Sequence, residues 1–521
     1  MLWLEKLLAA GYFPSRLPPP FTSRGYGSAF SDKSKISQFR ELFSSFPATR
    51  SSRHNQSRPG SLRRKLSIPN PVSYWKLADF VVEHQELIDL ASQSPISMTH
   101  PKVVSGSGHR AIERSHDFDA LPVRRNEIRT NASYILKADV SRFYHSIYTH
   151  AIAWALHTKS TAKADRFAQK GSLFGSDLDR LVRNLQDNQT LGIPIGPDIS
   201  FLIAELVITK VDLLVLDRAG NFLSGALRYI DDYEFAFQKR ADAEQLLGIL
   251  QEALNDYELA LNPSKTAILS LPLPCDSLAI SELRCFNFRI TEQGQKWDLL
   301  RFFDRAFCLA NEDPEEAVLT YAISKLGGET VAESNWRIYE NFLLHCGINE
   351  PGSLKAVIHQ LIKYGAHGFK VHTSDLGRAL NIIILRHAPL GHGSEVAWSL
   401  WIAIVFNCGI EEKSANAASY MDDSVVGLLL LDCAQRKLIK GSFDLSHLSS
   451  FMTGEELRNE MWLFAYEANV KGWLPNSGGD FVERDPQFAL LKQEHISFYD
   501  DTAADRFVGE RPAEEPTELY F

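Results

Sequence analysis

The stretch ALRYIDDYEFAF at 226–237 constrains this chain more than any other. Tyr233, Phe235 and Phe237 alternate with Glu234, Ala236 and Gln238, a period of two that predicts a strand. With ALRYI before the acids, the layout is strand, Asp-Asp turn, strand. A hairpin tip of this kind holds Asp231 and Asp232 at an exposed edge, where a cation can reach both carboxylates.

A second tetrapeptide of the same pattern, YMDD, occupies Tyr420–Asp423. Its surroundings differ. SVVGLLLLDCAQRKL follows the acids as a helix-like apolar run without β-alternation. Asp422 or Asp423 is placed to cap that helix, accepting backbone N–H bonds at the positive end of its dipole. The first copy is therefore read as the chemical one and the second as a helix cap.

A cation pair about 4 Å apart needs oxygen ligands from more than one strand. YILKADVSRFYHSIYTH supplies another: Ile135, Leu136 and Val140 mark an apolar strand ending at Asp139, with Phe143 and Tyr144 opening a helix. Between the two acidic segments lies QTLGIPIGPDISFLIAELVI, a Gly/Pro loop running into an apolar helix with Ser200 in its first turns. Gly192 and Gly196 allow close backbone approach to a ligand, and a helix N-terminus favours an anion. In LALNPSKTAIL, Lys265 is a charge partner or proton donor for an anionic leaving group.

Around this centre the chain divides by composition. Its 521 residues favour two or three domains. Residues 1–72 hold twelve Lys/Arg against three Asp/Glu, whereas the whole chain carries −9. Rich in Pro, Gly and Ser, YFPSRLPPPFTSRGYGSAF reads as extended surface chain, and SSRHNQSRPGSLRRKLSIPNP as a basic arm or flexible loop able to touch phosphates. Residues 73–300 mix strands and helices; YWKLADFVVEHQELIDLA and ADAEQLLGILQEALNDYELAL have helical spacing. From 301 to 475 the pattern is all-helical, possible as a degenerate helical-repeat array but without a clean period. SLKAVIHQLIKYG predicts a helix stopped by Gly365, GSEVAWSLWIAIVF a buried one, and TGEELRNEMWLFAYEANV one opened by a Thr453/Glu456 capping box. Residues 476–521 form an acidic tail with eleven acids and four bases. Six scattered cysteines without a C-x-x-C pair read as reduced core thiols and argue against structural zinc. No apolar run reaches the roughly 18 residues of a membrane span, and the N-terminus lacks a signal-peptide pattern, so the expectation is a cytoplasmic protein off the membrane.

In order, LKADVSRFYHSIYTH, GIPIGPDISFLIAE, LRYIDDYEFAF and LNPSKT resemble polymerase motifs A to D of reverse transcriptases. FYHSIYTHAIAWALHTKSTAK, GYFPSRLPPPF and MWLFAYEANVKGWL look like segments of the bacterial abortive-infection and defence-associated group. The resemblance implies an α+β right-hand polymerase, with palm and fingers followed by an all-α domain. Its activity would be that of an RNA-directed DNA polymerase, a nucleotidyltransferase acting in antiphage defence by making cDNA on a non-coding RNA or DNA without a template. Its partners would be dNTPs, a non-coding RNA template or product DNA, and further copies of the chain in a homo-oligomer.

Carried over residue by residue, the resemblance gives two Mg²⁺ ions, replaceable by Mn²⁺, held by Asp139, Asp231 and the Val140 carbonyl, with Asp232 as a weaker or outer support. Tyr144 takes the place of the aromatic that excludes a ribose 2′-OH. Gly192, Pro194 and Gly196 line the nucleotide and template pocket, Ile195 standing where glutamine is common, and Lys265 meets the triphosphate. Arg110 and Arg114 in HRAIERSHDF are candidates for the triphosphate grip. His145 and His150 read as packing or hydrogen-bonding residues rather than proton carriers. A protein hydroxyl used as primer would come from Tyr12, Tyr26 or Tyr520. The rival expectation is a catalytically inert scaffold with a helical sensor or oligomerisation domain.

Overall fold

In the computed structural model, residues 3–60, 63–104, 110–165, 173–475 and 479–509 are described. Eight strands matter to the site: β1 (Ser52–Ser57), β2 (Arg63–Ile68), β3 (Pro101–Val103), β4 (Ile112–Arg114), β5 (Tyr134–Asp139), β6 (Gly225–Tyr229), β7 (Asp232–Phe237) and β8 (Ala267–Ser270). Two antiparallel hairpins, β1–β2 and β3–β4, stand apart from a four-stranded antiparallel sheet of order β6-β7-β5-β8. The β6–β7 hairpin is the one expected from period-two alternation. Its inner residues Tyr233, Phe235 and Phe237 are buried, and the Arg240–Asp256 helix packs on β5 and β7.

The Asp198–Ala219 helix is buried along most of its length, as its nearly uniform apolar sequence demands. Beyond residue 290 the described chain is helical apart from one two-residue parallel strand pair, Ile410–Glu411 with Ile439–Lys440. The architecture is thus α+β palm and fingers followed by a helical region. No helix among the described residues is long and apolar enough to cross a membrane.

Several local expectations change. The Leu354–Ala366 helix runs past Gly365, and the left-handed residue beyond it is Gly368, at φ 86°. Thr453 does accept the Glu456 amide at 3.4 Å, but only a single 3₁₀ turn follows, and the helix proper is Trp462–Val470. Of the cysteines, Cys346, Cys408 and Cys433 are buried, whereas Cys285 and Cys308 are exposed.

The basic N-terminal segment is folded rather than arm-like. It contributes three helices, Trp3–Ala9, Arg24–Ser28 and Lys33–Phe43, and the β1–β2 hairpin. The stretch read as extended packs Tyr12, Tyr26 and Phe30 into the core. Part of the acidic tail is folded too: Phe498 packs edge-on against Tyr26 and Trp462, while 510–521 lie outside the described residues. Composition misled because it ignores where apolar partners sit; here Tyr12 and Phe21 pack against Phe498 and Tyr499, far downstream. One cluster of buried side chains runs from Leu4 to Ala504.

Candidate active site

Asp139 ends β5 and stands opposite Asp232, the first residue of β7. The Val140 amide donates to the Asp231 carbonyl at 3.1 Å, so strand pairing alone brings the three acids together. Asp231 and Asp139 are close enough to repel. Loss of water first, then the Asp139 charge, raise the Asp231 pKa, with Arg64 and Lys265 easing it. Asp232 is exposed as a residue, yet protein around its carboxylate withdraws enough water to raise its pKa. Repulsion from Asp231 and Asp139 adds to this. Asp139 itself is occupied on both oxygens, by the Asn262 amide at 2.9 Å and the Lys265 ammonium at 3.2 Å. Asn262 also donates its backbone N–H to the Asp139 carbonyl at 2.8 Å, tying the LNPSK turn to the end of β5.

The tip of the β6–β7 hairpin is strained. Ile230 has φ 57°, a conformation that β-branched residues rarely adopt and that costs about 1–3 kcal/mol. Its carbonyl accepts from Arg228 Nη1 at 2.8 Å, and its amide donates to Thr99 Oγ1 at 3.3 Å. Arg228 is fully buried between Glu205 (3.0 and 3.1 Å) and Asp212 (2.8 Å), both on the Asp198–Ala219 helix. Burial works against the Arg228 charge, but the two carboxylates overcome it and hold the guanidinium protonated. Tyr233 completes the group by donating to Asp212 at 2.7 Å. This buried scaffold fixes the Asp-Asp turn from below. The sequence analysis missed it, although Arg228 lies inside the very stretch that drew attention.

The Gly/Pro loop packs closely, against protein. Gly192, at φ 82°, has the His145 carbonyl 3.1 Å from where a Cβ would sit; Gly196, at φ 138°, has Pro14 at 2.5 Å and the Ser67 carbonyl at 3.2 Å. Both glycines serve the close approach of chain segments around the site. Ser67 on β2 donates to the Ile195 carbonyl at 2.8 Å, and the Ile193 amide donates to the Tyr144 carbonyl at 2.9 Å. Pro194, between these two anchored residues, is held in the same loop. Ser200 is buried. The Tyr144 ring is half-buried, and its hydroxyl feels Arg114, Glu205, Asp231 and Arg64. His150 pairs with Asp179 at 2.7 Å, as a packing and hydrogen-bonding residue should, while His145 is exposed.

Arg110 is not free to grip a ligand. It pairs with buried Asp198 and donates to the carbonyls of Phe13 (3.0 Å) and Gly196 (3.1 Å). Arg114 lies at the end of β4 and reaches the Tyr229 hydroxyl at 3.3 Å. Sequence reasoning missed Arg64, on β2, whose charged neighbours are Arg58, Asp231, Tyr144 and Arg114. Arg58, Arg64, Lys65 and Arg142 are all exposed, and His145 feels three of them, Arg142, Arg64 and Lys65. A concentration of unbalanced positive charge beside three carboxylates, in a chain of net charge −9, suits a polyanion. The only signal in the sequence was the doubled arginine of SLRRKL.

The second tetrapeptide is a cap. Asp423 accepts from the Val425 and Val426 amides at 2.9 and 3.2 Å, at the start of the Ser424–Gln435 helix. It is also paired with buried His54 on β1 at 2.9 Å. Tyr12 and Tyr26 are fully buried, and their hydroxyls donate to the carbonyls of Pro69 (2.5 Å) and Pro71 (2.7 Å), so neither can serve as a primer in this fold. Tyr520 lies outside the described residues.

Asp139, Asp231 and Asp232 form a hard-oxygen donor set in which repulsion adds to burial in raising the pKa of Asp231 and Asp232, a crowding of negative charge that Mg²⁺ relieves. No curated protein matches the sequence. Two solved structures with similar chains are telomerases. One, from Candida albicans in complex with a TWJ fragment of telomeric RNA, has 9% identity and a TM-score of 0.29, covering 73% of this chain and 69% of that one. The other, apo telomerase from Candida tropicalis, has 10% identity and a TM-score of 0.34, covering 76% of each chain. Residues 57–297 match the family described as reverse transcriptase (RNA-dependent DNA polymerase).

Proposed function

We propose that the protein adds dNTPs to a DNA 3′ end by two-metal nucleotidyl transfer. The observation that carries this is the convergence of Asp139, Asp231 and Asp232 at one end of β5 and β7. Asp139 and Asp231, with the Val140 carbonyl, would hold two Mg²⁺ ions, and Asp232 would support them from the rim. The ions' contribution is charge neutralisation and a nucleophilic hydroxyl of lowered pKa. The chain's own residues do the rest. Arg64 and Arg114 bind the triphosphate from the two hairpins. Lys265, within 3.2 Å of Asp139, stands ready to carry charge or a proton to the departing pyrophosphate. The Tyr144 ring, near Asp231, would fill the space of a ribose 2′-OH and so select dNTPs. The anchored loop through Gly192, Pro194 and Gly196 shapes the floor of the nucleotide pocket.

The exposed cations Arg58, Lys65 and Arg142 extend the positive surface away from the aspartates and suit a template or product strand. A role in antiphage defence, synthesis on a non-coding RNA or without a template, and assembly into a homo-oligomer rest on the resemblance to abortive-infection reverse transcriptases. With Tyr12 and Tyr26 buried, protein priming would fall to Tyr520. Incorporation of dNTPs by the full chain with Mg²⁺ tests the central reading. Incorporation lost in Asp139→Ala and Asp231→Ala supports it; none by the wild type would return the domain to an inert scaffold.

A further inference from the structure

The β1–β2 hairpin carries Arg64 toward the carboxylates, yet most of its polar anchors lie in the helical region. His54 pairs with Asp423, and Ser52 donates to Ser424 Oγ at 3.0 Å. Asn55 donates to the Gly391 carbonyl at 2.8 Å, and the Ser57 amide to Ser394 Oγ at 2.9 Å. Arg63, the neighbour of Arg64, forms a two-pronged pair with buried Glu395. These contacts come from both strands. They meet the N-terminal ends of two helices, Gly393–Val405 and Ser424–Gln435.

Buried ion pairs add little net stability compared with apolar packing of the same shape, but they fix register. Adjacent residues on a strand point to opposite faces. Glu395 on Arg63 therefore sets the rotation of β2, and with it the direction in which Arg64 projects. His54 and Arg64 lie on the other face, since His54 pairs with Leu66 and Gln56 with Arg64. Asp423 thus holds the same face from which Arg64 reaches the site. Arg64 itself has no hydrogen-bonded ion pair among the described residues, so nothing but the strand aims it.

We infer that Glu395 and Asp423 are positioning residues for nucleotide binding: the helical region seats the β1–β2 hairpin so that Arg64 meets the triphosphate of the incoming nucleotide. This gives the second YMDD a part in the reaction through Asp423, as a support for the hairpin. The inference rests on the polymerase reading above.

Single-nucleotide incorporation by the full chain, with dNTP concentration varied, tests it in Glu395→Gln, Arg63→Gln and Asp423→Asn. Each raises KM for dNTP about tenfold and changes kcat less than about threefold. Arg64→Ala raises KM similarly, and Arg64→Ala combined with Glu395→Gln adds nothing beyond the larger single effect. A merely structural role lowers the active fraction, giving reduced kcat at unchanged KM; that result, or additive effects, overturns the inference. Hydrogen exchange gives a readout independent of activity. Residues 52–57 and 63–68 exchange faster in Glu395→Gln and Arg63→Gln, while 134–139 do not. Unchanged exchange in the hairpin overturns the inference. A wild type that incorporates no dNTP overturns the polymerase reading instead.

Discussion

Asp139 and Asp232 face one another across the β5–β7 pair, at the one point in the sheet where like charges meet directly. Opposed carboxylates destabilise a sheet unless something compensates. Here Lys265 and Asn262 take both oxygens of Asp139, and a divalent cation would do more. Asp139→Ala and Asp231→Ala are expected to abolish dNTP incorporation while leaving the protein folded or slightly more stable. Asp422→Ala, altering the exposed acid of the second tetrapeptide, is expected to leave incorporation unchanged. Primer extension on the three variants side by side checks both halves, and equal losses in all three would contradict the assignment.

The role proposed for Tyr144 in sugar selection can be tested without touching the acids. Tyr144 is only half-buried, and its backbone is held by Ile193, so shortening the side chain leaves the loop anchored. Tyr144→Ala is expected to raise the use of rNTP relative to dNTP by about 10²-fold or more, since steric exclusion of one hydroxyl is the whole basis of discrimination. Competing incorporation of the two substrates measures it; an unchanged ratio would make Tyr144 a packing residue.

Arg228 supports the strained turn from a site with no exposure. Replacing it with methionine strands Glu205 and Asp212 without a counter-charge, which should cost about 3–5 kcal/mol. Urea unfolding followed by circular dichroism reads this directly. A loss below about 1 kcal/mol would mean that the two carboxylates simply protonate.

The exposed cations near the site predict a salt-dependent grip. Binding of a single-stranded oligonucleotide should weaken linearly on a log–log plot against salt, and Lys65→Ala or Arg142→Ala should each shallow the slope by about 0.7. Fluorescence anisotropy at several salt concentrations supplies the slopes, and parallel lines for wild type and variants would exclude these residues.

Glu467 offers a pH prediction remote from the carboxylate cluster. It is fully buried, accepts from the Phe498 amide (2.5 Å) and Ser497 (2.9 Å), and burial pushes its pKa up to about 7, with Asp501 adding and Lys471 opposing. A carboxyl whose folded pKa is raised contributes stability below its unfolded value, near 4.3, and loses it as pH rises to about 7. Stability of the wild type relative to Glu467→Gln should therefore fall between about pH 4.5 and 7, by up to about 3 kcal/mol. Thermal melts of both proteins across that range check the sign.

Sequence reasoning succeeded where the determinants are local. The Asp-Asp hairpin follows from alternation, and the Asp423 cap from its place before an apolar run. It failed where the determinant is a distant partner. Arg63 looks like part of a loose basic arm until Glu395, 332 positions away, is seen beside it. Tyr12 looks like surface in a proline-rich segment until Phe498 covers it. Arg110 looks like a ligand arginine until Asp198 claims it. Helix ends moved for a smaller reason: Gly365 sits within a turn that Gly368 is better placed to close.

The bridge between Phe21 and Tyr499 fastens an early segment of the chain to a late one. Thr22 donates to Phe498 at 3.1 Å, and Asp500 to Pro20 at 2.8 Å. During synthesis on a ribosome, every aspartate of the cluster emerges long before the residues that close this seam. A nascent polymerase domain would thus wait, with Tyr12 and Tyr26 still uncovered, until Phe498 and Tyr499 have been made. Truncations that spare all catalytic positions but stop before Ile496 should for that reason yield aggregates, not a smaller enzyme.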